Sequence, residues 1–193
     1  VACGAVINAA GTRAALVAEM AGLHLPVEPR RRYTIIFQAA EPLDRRLPLT
    51  IDPSGVHVRS DGDVYMAGCT PDHDPAVGQD DFDWVDRDIW EEKVWPAVAN
   101  RIPAFERVKI ISKWVGHYAH NTVDHNVVIG PHHEVANFIF ANGFSGHGLQ
   151  QSPAIGRAAS ELITYGDYRS IDMGPLGYDR IVAARPFVET AII

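Results

Sequence analysis

Cysteine is nearly absent: Cys3 and Cys69 are the only two in 193 residues, too few for a disulfide scaffold and in keeping with a reducing, cytoplasmic setting. No apolar run approaches the roughly 18–20 residues of a membrane span. Basic excess is missing as well. Seventeen Lys and Arg stand against 24 Asp and Glu, a net charge of −7, which argues against a nucleic-acid partner. The start, Val1-Ala2-Cys3-Gly4-Ala5-Val6-Ile7, has no basic region of the signal-peptide kind. It lacks Met and opens almost inside an apolar run, so a longer parent protein is expected. There is no G-x-S-x-G elbow, Walker loop, H-E-x-x-H, C-x-x-C or G-x-G-x-x-G fingerprint. What remains is an ordinary globular composition, 47% hydrophobic and 21% charged.

Along the chain, Val6-Ile7-Asn8-Ala9-Ala10-Gly11 predicts a short strand and turn. Thr12 is placed to cap a helix over Arg13 to Ala21 that stops at Gly22. After Pro26 and Pro29, Arg30-Arg31-Arg32 leads into the strand Tyr33-Thr34-Ile35-Ile36-Phe37, with the basic triplet read as a solvated approach. Ser60-Asp61-Gly62 predicts a hairpin, with Val56 and Val58 on one face and His57 and Arg59 on the other. Asp72 to Asp88 reads as a solvated acidic loop without EF-hand spacing. A helix is expected from about Asp86 to Asn100, kinked or ended by Pro96. Strands are expected at Arg107–Val115, Val127–Ile129 and Phe138–Phe140. Ser152 as N-cap and Pro153 at N1 predict a last helix that closes at Gly166.

Two clusters could carry chemistry. His117, His120, His125, His132 and His133 crowd one region, but nothing in their spacing brings three ligands together, and surface histidines are the simpler reading. No metal is expected. Gly143, Gly146 and Gly148 fall where a strand hands over to a helix. Glycine there supplies positive φ, admits a ligand close to the backbone, or merely makes a tight turn. The helix start that follows offers free N–H groups and partial positive charge, suited to an anion or to an oxygen that becomes one.

Gly143-Phe144-Ser145-Gly146-His147-Gly148, followed by Ser152-Pro153-Ala154-Ile155-Gly156, resembles the C-terminal signature of FAD-dependent amine and amino-acid oxidases. These include D-amino-acid oxidase, glycine oxidase, monomeric sarcosine oxidase and dimethylglycine dehydrogenase. Trp114-Val115-Gly116, Thr122-Val123-Asp124 and Val128-Ile129-Gly130-Pro131 fall in that family's order upstream, and Val6 to Gly11 looks like its last strand before the substrate domain. Asn121-Thr122, Gly146 to Gln151 and the ending Ile192-Ile193 look most like the FAD-dependent oxidoreductase-domain-containing subgroup.

The resemblance implies an α+β fold: a mixed, largely antiparallel substrate-domain sheet with flanking helices, plus C-terminal elements of a Rossmann-like FAD domain whose N-terminal βαβ unit is missing. It implies residues 1–22 returning from the FAD domain, 23–120 as substrate domain and 121–193 as the rest of the FAD domain. The activity implied is oxidation of a C–N bond in an amino acid or N-methyl amino acid, with FAD as non-covalent cofactor. FAD contacts would come from Ala10, Gly11, Gly143, Phe144, Ser145, Gly146, His147, Gly148, Leu149 and Gln150. His147 and Gln150 would lie nearest the chemistry. Monomeric sarcosine oxidase has Lys where Gln150 stands, which favours an acceptor other than oxygen here. Arg59 and Tyr65 are candidate ligands for a substrate carboxylate, Arg59 being alternatively an edge residue paired with Asp61 or Asp63. Alone, the chain is expected to bind FAD weakly or not at all and to self-associate through faces the missing half would cover. The rival class is a non-catalytic assembly or interaction protein that keeps the flavoprotein fold, or a truncated product with no activity.

Overall fold

The computed structural model describes residues 2–190; the Ile192-Ile193 ending lies outside them. Two compact units result. One combines the residues up to Pro29 with those from Tyr118 onward, and the other is the continuous stretch Arg30–His117. The chain leaves the first unit within one long strand and returns within another.

The first unit is built on a three-stranded sheet. Strand β1 (Val6–Asn8) runs parallel to β8 (Phe138–Asn142), which pairs antiparallel with β7 (Val128–Pro131). Alternation divides the β8 and β7 side chains between two cores. Phe138, Phe140 and Val128 meet Ala14 and Ala18 of helix α1 (Ala14–Met20) and Tyr178. Ile129 and Ala141 meet Ile155 and Ala158 of helix α3 (Gly148–Tyr165). Thr12 is not at the cap position. It lies in a 3₁₀ turn, Gly11–Arg13, that runs into α1 without a side-chain cap, and Gly22 follows the helix at positive φ.

Helix α3 starts four residues before Ser152, with His147 in the N-cap position, so Pro153 lies inside it. A proline there cannot bond the carbonyl of Leu149, one turn back. The Ser152 hydroxyl donates to that carbonyl instead, at 2.8 Å. Ser152 and Pro153 thus make an internal repair, and the helix closes at Gly166 as the pattern indicates.

The second unit carries most of a five-stranded sheet ordered β3 (Thr50–Ile51), β4 (His57–Asp61), β5 (Val64–Cys69), β2 (Val27–Ala39), β6 (Val108–Asn121). From β3 through β4 and β5 to β2 the pairing is antiparallel. Tyr33, Ile35 and Phe37 sit opposite Cys69, Ala67 and Tyr65, and this face packs against Trp90, Val94, Val98 and Phe105. Those four come from a π-turn at Trp90–Val94, helix α2 (Trp95–Arg101) and a 3₁₀ turn at Pro103–Glu106. Pro96 does not end the helix: helical backbone runs from Ile89 to Arg101, and Pro96 directly follows the π-turn, in the first turn of α2.

The basic triplet is not merely solvated. Arg32 reaches Asp74 at 2.9 Å, Arg31 pairs with Asp81, and Arg30 donates to the Asp74 carbonyl. The acidic segment is therefore laid along β2 by charge complementarity between two stretches that each read as water-facing alone.

Candidate functional site

Every buried polar or charged side chain among the described residues belongs to the first unit: Asn8, Asn121, Asp124, His132, Asn142, Ser145, Glu161 and Arg180. Burying polar groups is costly unless each finds a partner, so their concentration marks where function or precise geometry is held. Asn8 and Asn142 end the parallel pair β1 and β8, the edge at which open α/β sheets bind ligands. Asn8 Nδ2 donates to the Ala14 carbonyl at 2.9 Å, its Oδ1 accepts from Ala10 N–H, and Asn142 Nδ2 donates to the same Oδ1. Asn142 is fully buried, yet its Oδ1 has no partner among the described residues.

Beyond Asn142 the chain turns through the glycine loop. Gly143 (φ +69°) and Gly146 (φ +93°) both need the left-handed region. An added Cβ at Gly143 would lie 2.9 Å from Val27 Cγ2, and at Gly146 3.0 Å from the Tyr118 ring. Gly148 does not need the left-handed region. It is helical with no positive φ, and a Cβ there would make an ordinary 3.4 Å contact with Phe144.

Ser145 is fully buried at φ +45° and is fastened to β6 on three sides. Its N–H donates to the Ala119 carbonyl at 3.1 Å, its Oγ accepts from Asn121 N–H at 3.0 Å, and its carbonyl accepts from the Tyr118 hydroxyl. Asn121 in turn donates from Nδ2 to Asp124 at 2.8 Å. Asp124 is clasped by Arg180 at 2.6 and 3.0 Å. Burial works against the charged Asp124 carboxylate, but Arg180 and the Phe187 and Asn126 N–H groups outweigh it and hold its pKa below the usual carboxylate range.

A cleft of about 630 Å³ opens beside this loop, lined among others by Ala9 and Gly11, by Ala141 and Phe144, and by Gly148, Ser152, Gly156 and Ser160 along one stripe of α3. A Cβ added at Gly11 or Gly156 would meet only open space. Of the residues expected to touch FAD, the cleft lining holds Gly11, Phe144 and Gly148; Ala10, Gly143, Ser145, Gly146, His147, Leu149 and Gln150 lie outside it. His147 is half-buried, while Leu149 and Gln150 are exposed. Gln151 has a buried Oε1 without a partner among the described residues. Nothing in the sequence marks Gln151 or Tyr118 as site residues; for Asn142 a signal exists, a polar residue directly after an apolar strand.

These residues fit a flavin. The walls are small and apolar, as a flat ring requires, and the first N–H groups of α3 have no intrahelical partner. Gly146 N–H has no acceptor among the described residues, and the buried Asn142 Oδ1 and Gln151 Oε1, at the two ends of the loop, have no donor among them.

In the second unit, Arg59 and Tyr65 do not share a ligand. Arg59 stands opposite Met66, and Tyr65 opposite Ser60, so the pleat sends them to opposite faces of the sheet. Tyr65 lies in the core, its hydroxyl accepting from Leu43 N–H at 2.9 Å. Arg59 is exposed on the other face with His57, Met66 and Ile36; it pairs with neither Asp61 nor Asp63, and its Nη2 lies 3.4 Å from Met66 Sδ. Burial, with Arg59 nearby, lowers the pKa of His57.

Among the described residues no three His, Cys, Asp or Glu side chains converge on a metal position, and no helix is long and apolar enough to cross a membrane. The His120 and His125 rings lie 4.7 Å apart, tilted by 45°, and His132 and His133 pack against Tyr178.

The chain is 40% identical over 204 residues to FAD-dependent oxidoreductase domain-containing protein 1 of Bos taurus, covering 99% of the chain and 42% of that protein. It is 25% identical over 171 residues to the mitochondrial sarcosine dehydrogenase of Mus musculus, covering 83% of the chain and 18% of that protein. Among solved structures it resembles L-proline dehydrogenase from P. horikoshii, with a TM-score of 0.81 and 27% identity over 95% of the chain and 48% of that protein. The chain thus spans less than half the length of the relatives it matches. The family model for FAD dependent oxidoreductases matches residues 1–162. With the glycine loop, the parallel strand ends and the cleft between them, that match places the chain in the FAD-dependent oxidoreductase family.

Proposed function

We propose that the chain supplies the flavin-facing loop and the substrate-facing sheet of an oxidoreductase that oxidises the C–N bond of a small carboxylate-bearing amine, an amino acid or an N-methyl amino acid. The observation that carries this reading is the glycine loop, whose free N–H groups lie at the carboxyl ends of β1 and β8 beside a small-walled cleft. The sarcosine and L-proline enzymes among the similar proteins support the substrate class.

In this reading the first unit belongs to the flavin-binding part and the second to the substrate-binding part. FAD, when bound, supplies the two-electron acceptor. Gly146 N–H and the N-terminus of α3 offer fixed donors where negative charge builds up on reduction. Gln150 and His147 stand at the same helix start. Arg59, on an open sheet face, holds the carboxylate, and Tyr65 has no part in it. Flavin attachment is non-covalent, because the buried Cys69 belongs to the other unit and no cysteine accompanies the glycine loop.

The test is made on protein extended to the length of its relatives, assayed with sarcosine, N-methyl amino acids, D-amino acids and L-proline. Bound, acid-extractable flavin and turnover of one of these substrates are expected. A flavin-free protein would overturn the reading, and a flavin-loaded one that no substrate reduces would point to the assembly role.

A further inference from the structure

We propose that Tyr118 is a positioning residue that aims the Gly146 N–H into the flavin site by holding the Ser145–Gly146 peptide; this rests on the flavin reading above. Tyr118 is buried, and its hydroxyl donates to the Ser145 carbonyl. No peptide among the described residues is cis. In a trans peptide the C=O and the following N–H point in opposite directions. Fixing the Ser145 carbonyl toward Tyr118 therefore turns the Gly146 N–H away from it.

That N–H has no acceptor among the described residues, and Gly146 is exposed. It is a donor held ready with nothing in the described chain to receive it. The Tyr118 ring also lies under Gly146, so closely that a Cβ there would come within 3.0 Å of it. Ring and hydroxyl thus constrain the same peptide from two directions. The other fastenings of Ser145, to Ala119 and Asn121, hold its position, but only Tyr118 acts on the carbonyl. A left-handed backbone at a non-glycine residue costs of order 1 kcal/mol and persists only where its surroundings over-determine it. Ser145 has such surroundings, and the donor it orients needs no reorganisation when charge develops opposite it.

Tyr118→Phe, made in flavin-loaded protein extended to the length of its relatives, keeps the ring on Gly146 and deletes the bond. The expected result is an almost unchanged melting temperature, an FAD dissociation constant raised about three- to tenfold, and a more negative flavin reduction potential. Ser145→Gly keeps the carbonyl and the positive φ while removing Oγ, so it should lower the melting temperature and leave the potential alone. In the unsubstituted protein, hydrogen exchange should find the Gly146 amide unprotected after flavin removal and protected when flavin is restored. Parental affinity and potential in Tyr118→Phe, or a Gly146 amide protected without flavin, would overturn the proposal and spare the flavin reading. Absence of flavin from the unsubstituted protein would overturn both. Should Tyr118→Phe fail to fold, the exchange measurement decides alone.

Discussion

Arg180 meets Asp124 fork to fork, Nε to Oδ2 at 2.6 Å and Nη2 to Oδ1 at 3.0 Å, with both side chains out of solvent. The same guanidinium donates to the carbonyls of Leu176, Gly177, Asn126 and Val127. Asp124 also accepts the Phe187 N–H, so one pair ties three segments of the first unit together.

Removing one partner of a buried pair strands the other charge, a loss of roughly 3–5 kcal/mol. Asp124→Ala should therefore lower the urea midpoint far more than Arg107→Ala, whose pairing with Glu41 is exposed on both sides. Equal small losses would mean that Asp124 is not sealed from water.

Acid should weaken both units, through Glu161 in the first and Asp52 in the second. Hydrogen bonds from Ser170 and from the Arg169 and Ser170 N–H groups hold Glu161 down at about 2, and bonds from Ser54 and Arg101 hold Asp52 at about 2. Both are depressed below their unfolded values, so their contribution is present above about pH 4 and fades as pH falls toward 2. Thermal midpoints measured from pH 6 to 2 should drop through that window, and Glu161→Gln should flatten the drop. A profile that Glu161→Gln leaves as steep would remove Glu161 from the explanation.

The glycines of the loop should separate into two kinds. Gly143→Ala faces both a positive φ and the Val27 and Asn121 side chains, and should destabilise by about 1–3 kcal/mol. Gly148→Val should leave the fold intact and lose flavin, because its position is helical and borders the cleft. Flavin content unaffected in Gly148→Val would place the ring elsewhere.

On the open sheet face, Arg59→Lys removes the two-pronged geometry while keeping the charge. A several-fold higher KM with normal flavin content is expected; an unchanged KM returns Arg59 to the surface. Gln150→Lys should speed reoxidation of reduced flavin by oxygen, measured by stopped flow, and no acceleration would show that Gln150 is not beside the flavin.

Thiol chemistry offers an independent check on packing. Burial pushes the Cys69 thiol up to about 11, whereas Cys3 is exposed. One thiol should react with a disulfide reagent in native protein and two after unfolding. Rapid native reaction of both would mean that the β2–β5 core opens easily.

The short strands and the α+β class are legible because apolar alternation and turn glycines are local signals. The hairpin at Gly62 and the helix stop at Gly166 are read from single residues with positive φ. What is not legible depends on residues far apart. The Arg31–Asp81 and Arg32–Asp74 pairs join stretches more than forty residues distant in sequence, and each looks like solvated charge alone. Tyr65 is misplaced by the sequence reading because a hairpin shows which residues are neighbours before it shows which face is core, and Arg59 pairs in register with Met66. Ser152-Pro153 suggests the wrong start for α3, since its cap-like chemistry serves the helix interior instead. At the candidate site, the glycines announce a loop, but Tyr118 and Asn121, which fasten it, come from the part of β6 that runs on beyond the strand expected at Arg107–Val115.

Because β1 finds its partner only at Phe138 to Phe140, timing matters while the chain is being made. At about 5–20 residues per second, β1 would wait on the order of ten seconds beyond the ribosome before β8 exists. The stretch Arg30–His117 is continuous and can close in the meantime. Through that interval the edge of Val6 to Asn8 that will face β8 is without its partner strand. A chaperone that shields this strand during synthesis should therefore improve yield more than one acting on the finished protein.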